Sequence, residues 1–335
     1  MKQPQTTFMA QEIEEMPEAA ARLTEAPAQA AIRSIASELR DLDPAAIITV
    51  ARGSSDHAAT YLNYSAQMLL GLPVASIGPS IASIYETPLK AKGLAVLAIS
   101  QSGASEDIRV LSESLAEAGA QIVALTNTAT SPLAEVASSV INIAAGKERA
   151  VAATKSCFNS IVAGLWLLAE WAEDQELASA LTKLPDCMRR LEAEDGLAIL
   201  GPSIRTQRRA VVLGRGAGLG IANEVALKLI ETCGVHASSY SGAEVLHGPS
   251  AMLVDGHPVL AITSGTKGSM DPTIERLEKQ GANLVALSPK TATGHPLVDP
   301  LLDMQPLYRG LERLAVSFGM DPDNPEHLQK ETRTV

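Results

Sequence analysis

The segment SQSGAS, residues 100–105, places three hydroxyls, a glutamine and a glycine directly after an apolar run at 93–99, and contains no lysine. Backbone N–H groups at a helix N-terminus attract an anion, and serine hydroxyls can complete a cradle around it. Ser100, Gln101, Ser102 and Ser105 therefore read as a phosphate loop. Plain helix capping is the alternative, but one cap needs one hydroxyl. A second loop, RGSSDH at 52–57, puts Ser54 and Ser55 at the start of the next helix, behind Gly53, which lets the backbone turn tightly. A third, VAATKS at 151–156, offers Thr154 and Lys155 either to a sugar phosphate or to the cap of a helix over 156–172.

Other residues could move protons. In NEVALKLIETC, 223–233, Glu224, Lys228 and Glu231 recur at i, i+4 and i+7 and share one helical face. Val225, Ala226, Leu227, Leu229 and Ile230 make the rest of that helix apolar. An ordinary surface stripe would explain the pattern. So would a helix buried between layers that shows its charges to a cleft, where a carboxylate can shuttle protons between carbons. His247, in GAEVLHGPSAML at 242–253, lies in a loop bounded by Gly and Pro, a setting that also suits a plain surface histidine. Lys330 sits in the polar tail DPDNPEHLQKETRTV, 321–335, which by composition is a frayed end.

These residues need elements to hold them. Short apolar runs at 46–51, 94–99, 121–125 and 138–144, then 210–213, 258–262 and 283–287, alternate with helical patterns. That alternation predicts an α/β fold, a parallel sheet with helices on both faces. The two sets keep register. Gly216 lies 163 positions after Gly53, Ala261 lies 163 after Ala98, and Gly281 lies 162 after Gly119. The sequence thus predicts two tandem copies of one doubly wound, flavodoxin-like αβα unit. The second copy keeps the turn, TSGTKGS at 263–269, but has no glutamine there, so one phosphate pocket per chain is expected. The predicted layout is N-terminal helices at 1–42, a first domain at 43–182 that binds phosphate and a joining segment at 183–206. A second domain with the acid and base residues follows at 207–319, then a tail at 320–335. Ligands of such sheets bind outside the carboxyl ends of the strands, where the polar loops fall.

Composition narrows the class. With 335 residues, 46% hydrophobic but 3% aromatic, the cores must be built from Ala, Val, Leu and Ile. A net charge of −11 argues against nucleic acid or an anionic membrane as partner. Three scattered cysteines, none in a CxxC or Cys/His cluster, predict a reducing compartment and no metal site. The acidic N-terminus lacks a signal-peptide run, and the apolar stretch at 161–172 is too short to span a bilayer. A soluble, cytoplasmic protein is expected.

Seven motifs in order resemble the sugar-isomerase (SIS) family, and within it the isomerase half of glucosamine-6-phosphate synthase. They are RGSS (52–55), SQSGASED (100–107), VAATKS (151–156), LGRG (213–216), EVALKLIE (224–231), EVLHGP (244–249) and HLQK (327–330). The resemblance implies that Ser55, Ser100, Gln101, Ser102 and Ser105 bind a sugar 6-phosphate, with Gly53, Ser54, Ala152 and Thr154 also lining the substrate. It implies that Glu231 moves the proton between C1 and C2, with Lys228, paired with Glu224, assisting. It implies that His247, from the neighbouring subunit of a homodimer with a shared active site, opens the ring. Lys330 would contact the open-chain sugar or form a Schiff base with a ketose, making the tail a lid.

Two departures refine this expectation. The chain begins Met1-Lys2-Gln3 and has no cysteine before Cys157, so it lacks the N-terminal cysteine nucleophile of the synthase glutaminase. Arg52 replaces a small residue of the synthase. A double-SIS chain of this kind resembles the second type of glucosamine-6-phosphate deaminase. The implied reaction isomerises glucosamine 6-phosphate and releases ammonia, giving fructose 6-phosphate, with no cofactor because enolisation moves only protons. The alternatives are a glutaminase-less phosphosugar isomerase or aminotransferase-like enzyme, or a deaminase or deglycase of another amino sugar phosphate. A non-catalytic sugar-phosphate sensor is a third class, disfavoured by the joint presence of Glu231, His247 and Lys330.

Overall fold

The computed structural model describes residues 6–191, 196–287 and 291–330. Its helices are α1 (Phe8–Glu14), α2 (Met16–Arg22), α3 (Ala26–Leu42), α4 (Ser54–Leu70), α5 (Ser80–Ser83), α6 (Glu106–Glu117) and α7 (Pro132–Val136). They continue with α8 (Lys155–Trp171), α9 (Gln175–Arg189), α10 (Gly196–Gln207), α11 (Gly218–Cys233), α12 (Asp271–Lys279) and α13 (Met304–Ser317). The strands are β1 (Ile47–Val50), β2 (Val74–Ser76), β3 (Ala95–Ile99), β4 (Gln121–Thr126) and β5 (Ser139–Asn142) in one sheet. The other sheet holds β6 (Arg209–Gly214), β7 (His236–Ser241), β8 (Pro258–Ile262) and β9 (Asn283–Leu287).

Both sheets are wholly parallel among the described residues, in the orders β2-β1-β3-β4-β5 and β7-β6-β8-β9. The doubly wound α/β fold is thus as expected. The repeat is visible in the pairing itself. Ile48 pairs with Val96, and Val211, 163 positions after Ile48, pairs with Val259, 163 after Val96. Val96 pairs with Ile122, and Val259 with Leu284, 162 after Ile122. Of the four edge strands, β5 and β9 fall on expected runs, whereas β2 and β7 were not among them. β7 reads HASSYS and buries only Ala237, so it carries no apolar run to announce it.

The contacts group the chain into two compact units. Among the described residues, one comprises those within Glu18–Lys147 and Lys155–Thr182 and holds the first sheet; the other comprises those up to Pro17, within Glu148–Thr154 and within Lys183–Lys330 and holds the second. The 1–42 segment expected to precede both copies is therefore shared out, α1 to one unit and α3 to the other. Residues 320–330 and 148–154, expected in other segments, group with the second sheet.

Each unit has its own aliphatic core. Around the first sheet, Ile48, Val50, Val96, Ala98, Ile122 and Ala124 pack with Ile108, Leu111 and Leu115 of α6. Around the second, Val211, Leu213, Val259 and Ala261 pack with Val245, Leu253, Met270 and Leu277. The buried residues of these two clusters include no aromatic side chain, as the composition required. The most deeply buried of the three 17-residue helices of the first unit is α8, in which every residue from Lys155 to Ala169 is buried. No described helix is long and apolar enough to cross a membrane.

Candidate active site

In the first unit the strand order reverses between neighbours β1 and β3, so the loops after them flank the topological switch point. After β1, Gly53 adopts φ +53° and ψ −134°, a conformation open to glycine, and hands over to Ser54 at the head of α4. After β3 comes SQSGAS. Its backbone is fixed from outside: the Gln101 carbonyl accepts from Asn127 N at 3.0 Å, and the Gly103 carbonyl from Leu133 N at 3.0 Å. Gly103 lies at φ +65° against Ser131, whose Oγ would fall 2.0 Å from an added Cβ, so no side chain fits.

The hydroxyls answer the capping alternative. Ser105 occupies the N-cap position of α6 but makes no side-chain cap bond. Ser100 Oγ, buried, accepts from Gly103 N at 3.1 Å, and Ser102 Oγ accepts from Ala104 N at 3.2 Å. Accepting leaves each of these two hydroxyls with its own proton to donate. The Ser55 hydroxyl, at the start of α4, makes no hydrogen bond among the described residues. The loop is therefore a set of oriented donors, which suits an anion with several oxygens.

Asp56, in the first turn of α4, has its carboxyl held above the usual range by burial, an effect partly offset by His57 and Arg52. Arg52 itself bonds through Nε to Asp107 Oδ2 at 2.9 Å, joining the β1 loop to the head of α6. Sequence reasoning passed over Asp107, although it lies in the quoted SQSGASED. An acid directly after a serine loop looks like a helix-dipole residue.

In the second unit, α11 brings three predicted residues together. Lys228 Nζ lies 2.6 Å from Glu231 Oε2 and 3.3 Å from Glu224 Oε1. Glu224 and Lys228 are sealed, whereas the Glu231 side chain keeps 22% of its exposure. The surface-stripe alternative is thereby excluded for Glu224 and Lys228. Behind them, Tyr308 of α13, also buried, donates its hydroxyl to Glu224 Oε1 at 3.1 Å. The result is a line from Tyr308 through Glu224 and Lys228 to Glu231, with the carboxylate at the open end. Such a line holds charge in the interior and exposes one base. Tyr308 was missed because, in LYRGLERL, it reads as one more apolar position.

His247 ends a short 3-10 turn, Glu244–His247, and is exposed; it makes no hydrogen bond to the α11 residues. The structure does not join it to them. Lys330 is likewise away from that line but is not loose: its Nζ bonds to Glu148 Oε2 at 3.0 Å and to the Ala150 carbonyl at 2.6 Å. The other oxygen of Glu148 accepts from Thr154 N at 3.0 Å. Thr154 is fully buried and its Oγ1 has no partner; Ala152 is buried beside it in sequence. Asp323 adds two ties, its carbonyl accepting from Val151 N at 2.8 Å and its carboxylate from Phe8 N and Met9 N at the head of α1. The frayed-end reading of the tail thus fails for 321–330, while 331–335 lie outside the described residues. Among the described residues no cluster of His, Cys, Asp and Glu could hold a metal ion.

A family model for the SIS domain matches residues 42–170 and 203–293. The chain belongs to the SIS family. It is 31% identical, over 96% of its length, to glutamine–fructose-6-phosphate aminotransferase of Thermococcus kodakarensis, and the match takes in 57% of that relative. The chain thus spans little more than half the length of the curated relatives it matches. A crystal structure of a candidate phosphosugar isomerase from Silicibacter pomeroyi superposes with TM-score 0.87 at 43% identity, over 95% of this chain and all of that one. Glucosamine-6-phosphate deaminase of Thermotoga maritima shares the fold, with TM-score 0.78 at 19% identity over 98% of this chain and all of that one. Both SIS segments contain one of the sheets described above, and both carry a polar loop after the strand beside the switch point.

Proposed function

We propose that this SIS protein is an aldose–ketose isomerase of a sugar 6-phosphate, and that it deaminates glucosamine 6-phosphate to fructose 6-phosphate and ammonia. The observation that carries the reading is the buried Glu224–Lys228 pair ending in the half-open carboxylate of Glu231. Isomerisation needs one base that takes a proton from C2 and returns it to C1, and a carboxylate steadied by an ammonium suits that task. Ser55, Ser100, Gln101, Ser102 and Ser105 hold the phosphate. His247 opens the ring. Glu231 removes the C2 proton of the open-chain aldehyde, and protonation at C1 leaves an imine at C2. Water adds to that imine and ammonia departs, so one water is consumed per ammonia released. Lys330 and Thr154 contact the open chain.

The test is ammonia release from glucosamine 6-phosphate by the purified chain, with galactosamine 6-phosphate in parallel. Ammonia and fructose 6-phosphate formed in step from the glucosamine substrate are expected. No ammonia from glucosamine 6-phosphate overturns the deaminase assignment. The relationship to the Thermococcus aminotransferase favours one second reading, in which the same residues join fructose 6-phosphate and free ammonia. Supplying those two compounds and assaying glucosamine 6-phosphate checks it.

A further inference from the structure

The serine loop offers an anion hydroxyls, the Gln101 amide and backbone N–H groups but no cation, yet the first turn of the helix it leads into carries two acids, Glu106 and Asp107. Two negative charges at that point oppose a phosphate. Arg109 answers one of them, holding Glu106 through Nη2 at 2.7 Å and Nε at 3.1 Å, but its remaining bond goes to Glu113. All three guanidinium nitrogens of Arg109 are thus engaged along α6. Asp107 is answered by Arg52, which comes from the other loop of the switch point.

We propose that Arg52 is the phosphate-positioning cation of this site, held in place by Asp107. The proposal rests on the reading of SQSGAS as a phosphate loop. Three observations carry it. First, Arg52 stands directly before Gly53 and the Ser54–Ser55 helix start, and β1 pairs with β3, so its guanidinium reaches between the two hydroxyl-bearing loops. Second, the bond to Asp107 uses only Nε. The two terminal amino groups have no hydrogen-bond partner among the described residues, and the side chain is 48% exposed. Four of the five guanidinium donors are therefore unspent. Third, Asp107 is 5% exposed and its other oxygen accepts from Ile108 N at 2.9 Å, so the anchor is itself rigid. A guanidinium fixed through Nε presents a planar fork of the kind that grips a phosphate with two parallel bonds. The charges nearby are the acids Asp56, Glu106 and Asp107, with His57 beside Asp56 and Arg109 on Glu106. Burial holds the Asp56 carboxyl up, and His57 and then Arg52 offset part of that rise, so the arginine is one of two cations beside that acid.

The competing explanation is that Arg52 merely neutralises a buried carboxylate. Calorimetric titration of the whole chain with inorganic phosphate and with fructose 6-phosphate separates the two. The variants are Arg52→Ala, Arg52→Lys, Asp107→Asn and the Arg52→Ala/Asp107→Asn double. Arg52→Ala is expected to weaken both ligands roughly 10- to 100-fold, the loss of a charged hydrogen bond. Arg52→Lys, which keeps the charge without the fork and guards against a misfolded alanine variant, falls between Arg52→Ala and the wild type. The double variant stays as weak as Arg52→Ala. Recovery of wild-type affinity in the double variant overturns the proposal, because charge balance at Asp107 would then be the whole effect. Ser105→Ala runs alongside. Weakened binding there with unchanged binding in Arg52→Ala sinks the proposal and leaves the loop's role standing. No change in either variant removes the phosphate loop and the proposal with it.

Discussion

At the scale of single residues, the first unit offers oriented hydroxyl donors and the second a carboxylate with an open edge. Glu231 is the member of the α11 line with an open edge, so Glu231→Gln keeps shape and burial while removing the base. In the proposed reaction it lowers kcat by roughly 10²- to 10⁴-fold, the usual contribution of a positioned base, with sugar phosphate binding retained. Steady-state kinetics with a parallel binding titration checks this; an unchanged kcat assigns the base elsewhere. Ser105→Ala addresses the loop. Since Ser105 makes no cap bond, its loss leaves α6 intact and raises KM roughly 10-fold or more. If the thermal midpoint drops instead and KM holds, Ser105 is a structural residue after all. Much of this was legible in the letters: hydroxyls in excess of a cap, and acids at i and i+7 about a lysine. Glu148 was not legible. In GKERAVAATKS it is one charge among four, and only folding shows that its two oxygens hold Thr154 and Lys330.

At the scale of elements, the helix α11 shows why a charge can be kept where composition would place an aliphatic residue. Lys228 is almost wholly buried between two carboxylates, and Glu224 is further satisfied by Tyr308. Removing the cation alone leaves acids without a counter-charge. Lys228→Met is therefore expected to cost about 3–5 kcal/mol of stability, the range for breaking a buried pair from one side. Chemical denaturation measures it, and a loss under 1 kcal/mol would mean that the pair is solvated in solution. The strands illustrate the limit of pattern reading. Central strands such as β3 and β8 bury every residue and read as apolar runs. Edge position alone does not hide a strand, since the edges β5 and β9 read as apolar runs; β2 is only three residues long and β7 is HASSYS, largely hydroxyl-bearing, so these two leave no trace in hydropathy.

At the scale of the whole molecule, stability is expected to respond to pH through a group that the proposed chemistry does not use. Asp303, just before α13, is buried, and its Oδ2 has no hydrogen-bond partner. Burial pushes its carboxyl up to about 7, with the charge of Asp299 adding to the rise and the Ser264 hydroxyl offsetting part of it. The folded value thus lies above the ordinary 3.8. The stability it contributes is complete below the ordinary value, falls as pH rises towards 7, and is gone above it. Asp303→Asn removes that dependence. Denaturation midpoints of wild type and variant, taken from pH 5 to 8, are expected to diverge as pH rises, the wild type losing ground; parallel curves would exclude Asp303 as the source.

The passage of 148–154 into the second unit, between stretches that belong to the first, has a consequence for dissection of the chain. A gene cut once near residue 182 would appear to free each copy of the repeat, yet it would strand Lys330 without Glu148 and Asp323 without Val151. The halves are interleaved rather than strung in series. Expressed alone, the carboxyl-terminal half should be poorly soluble, and co-expression with the amino-terminal half should rescue it, as happens when two fragments complete a single fold.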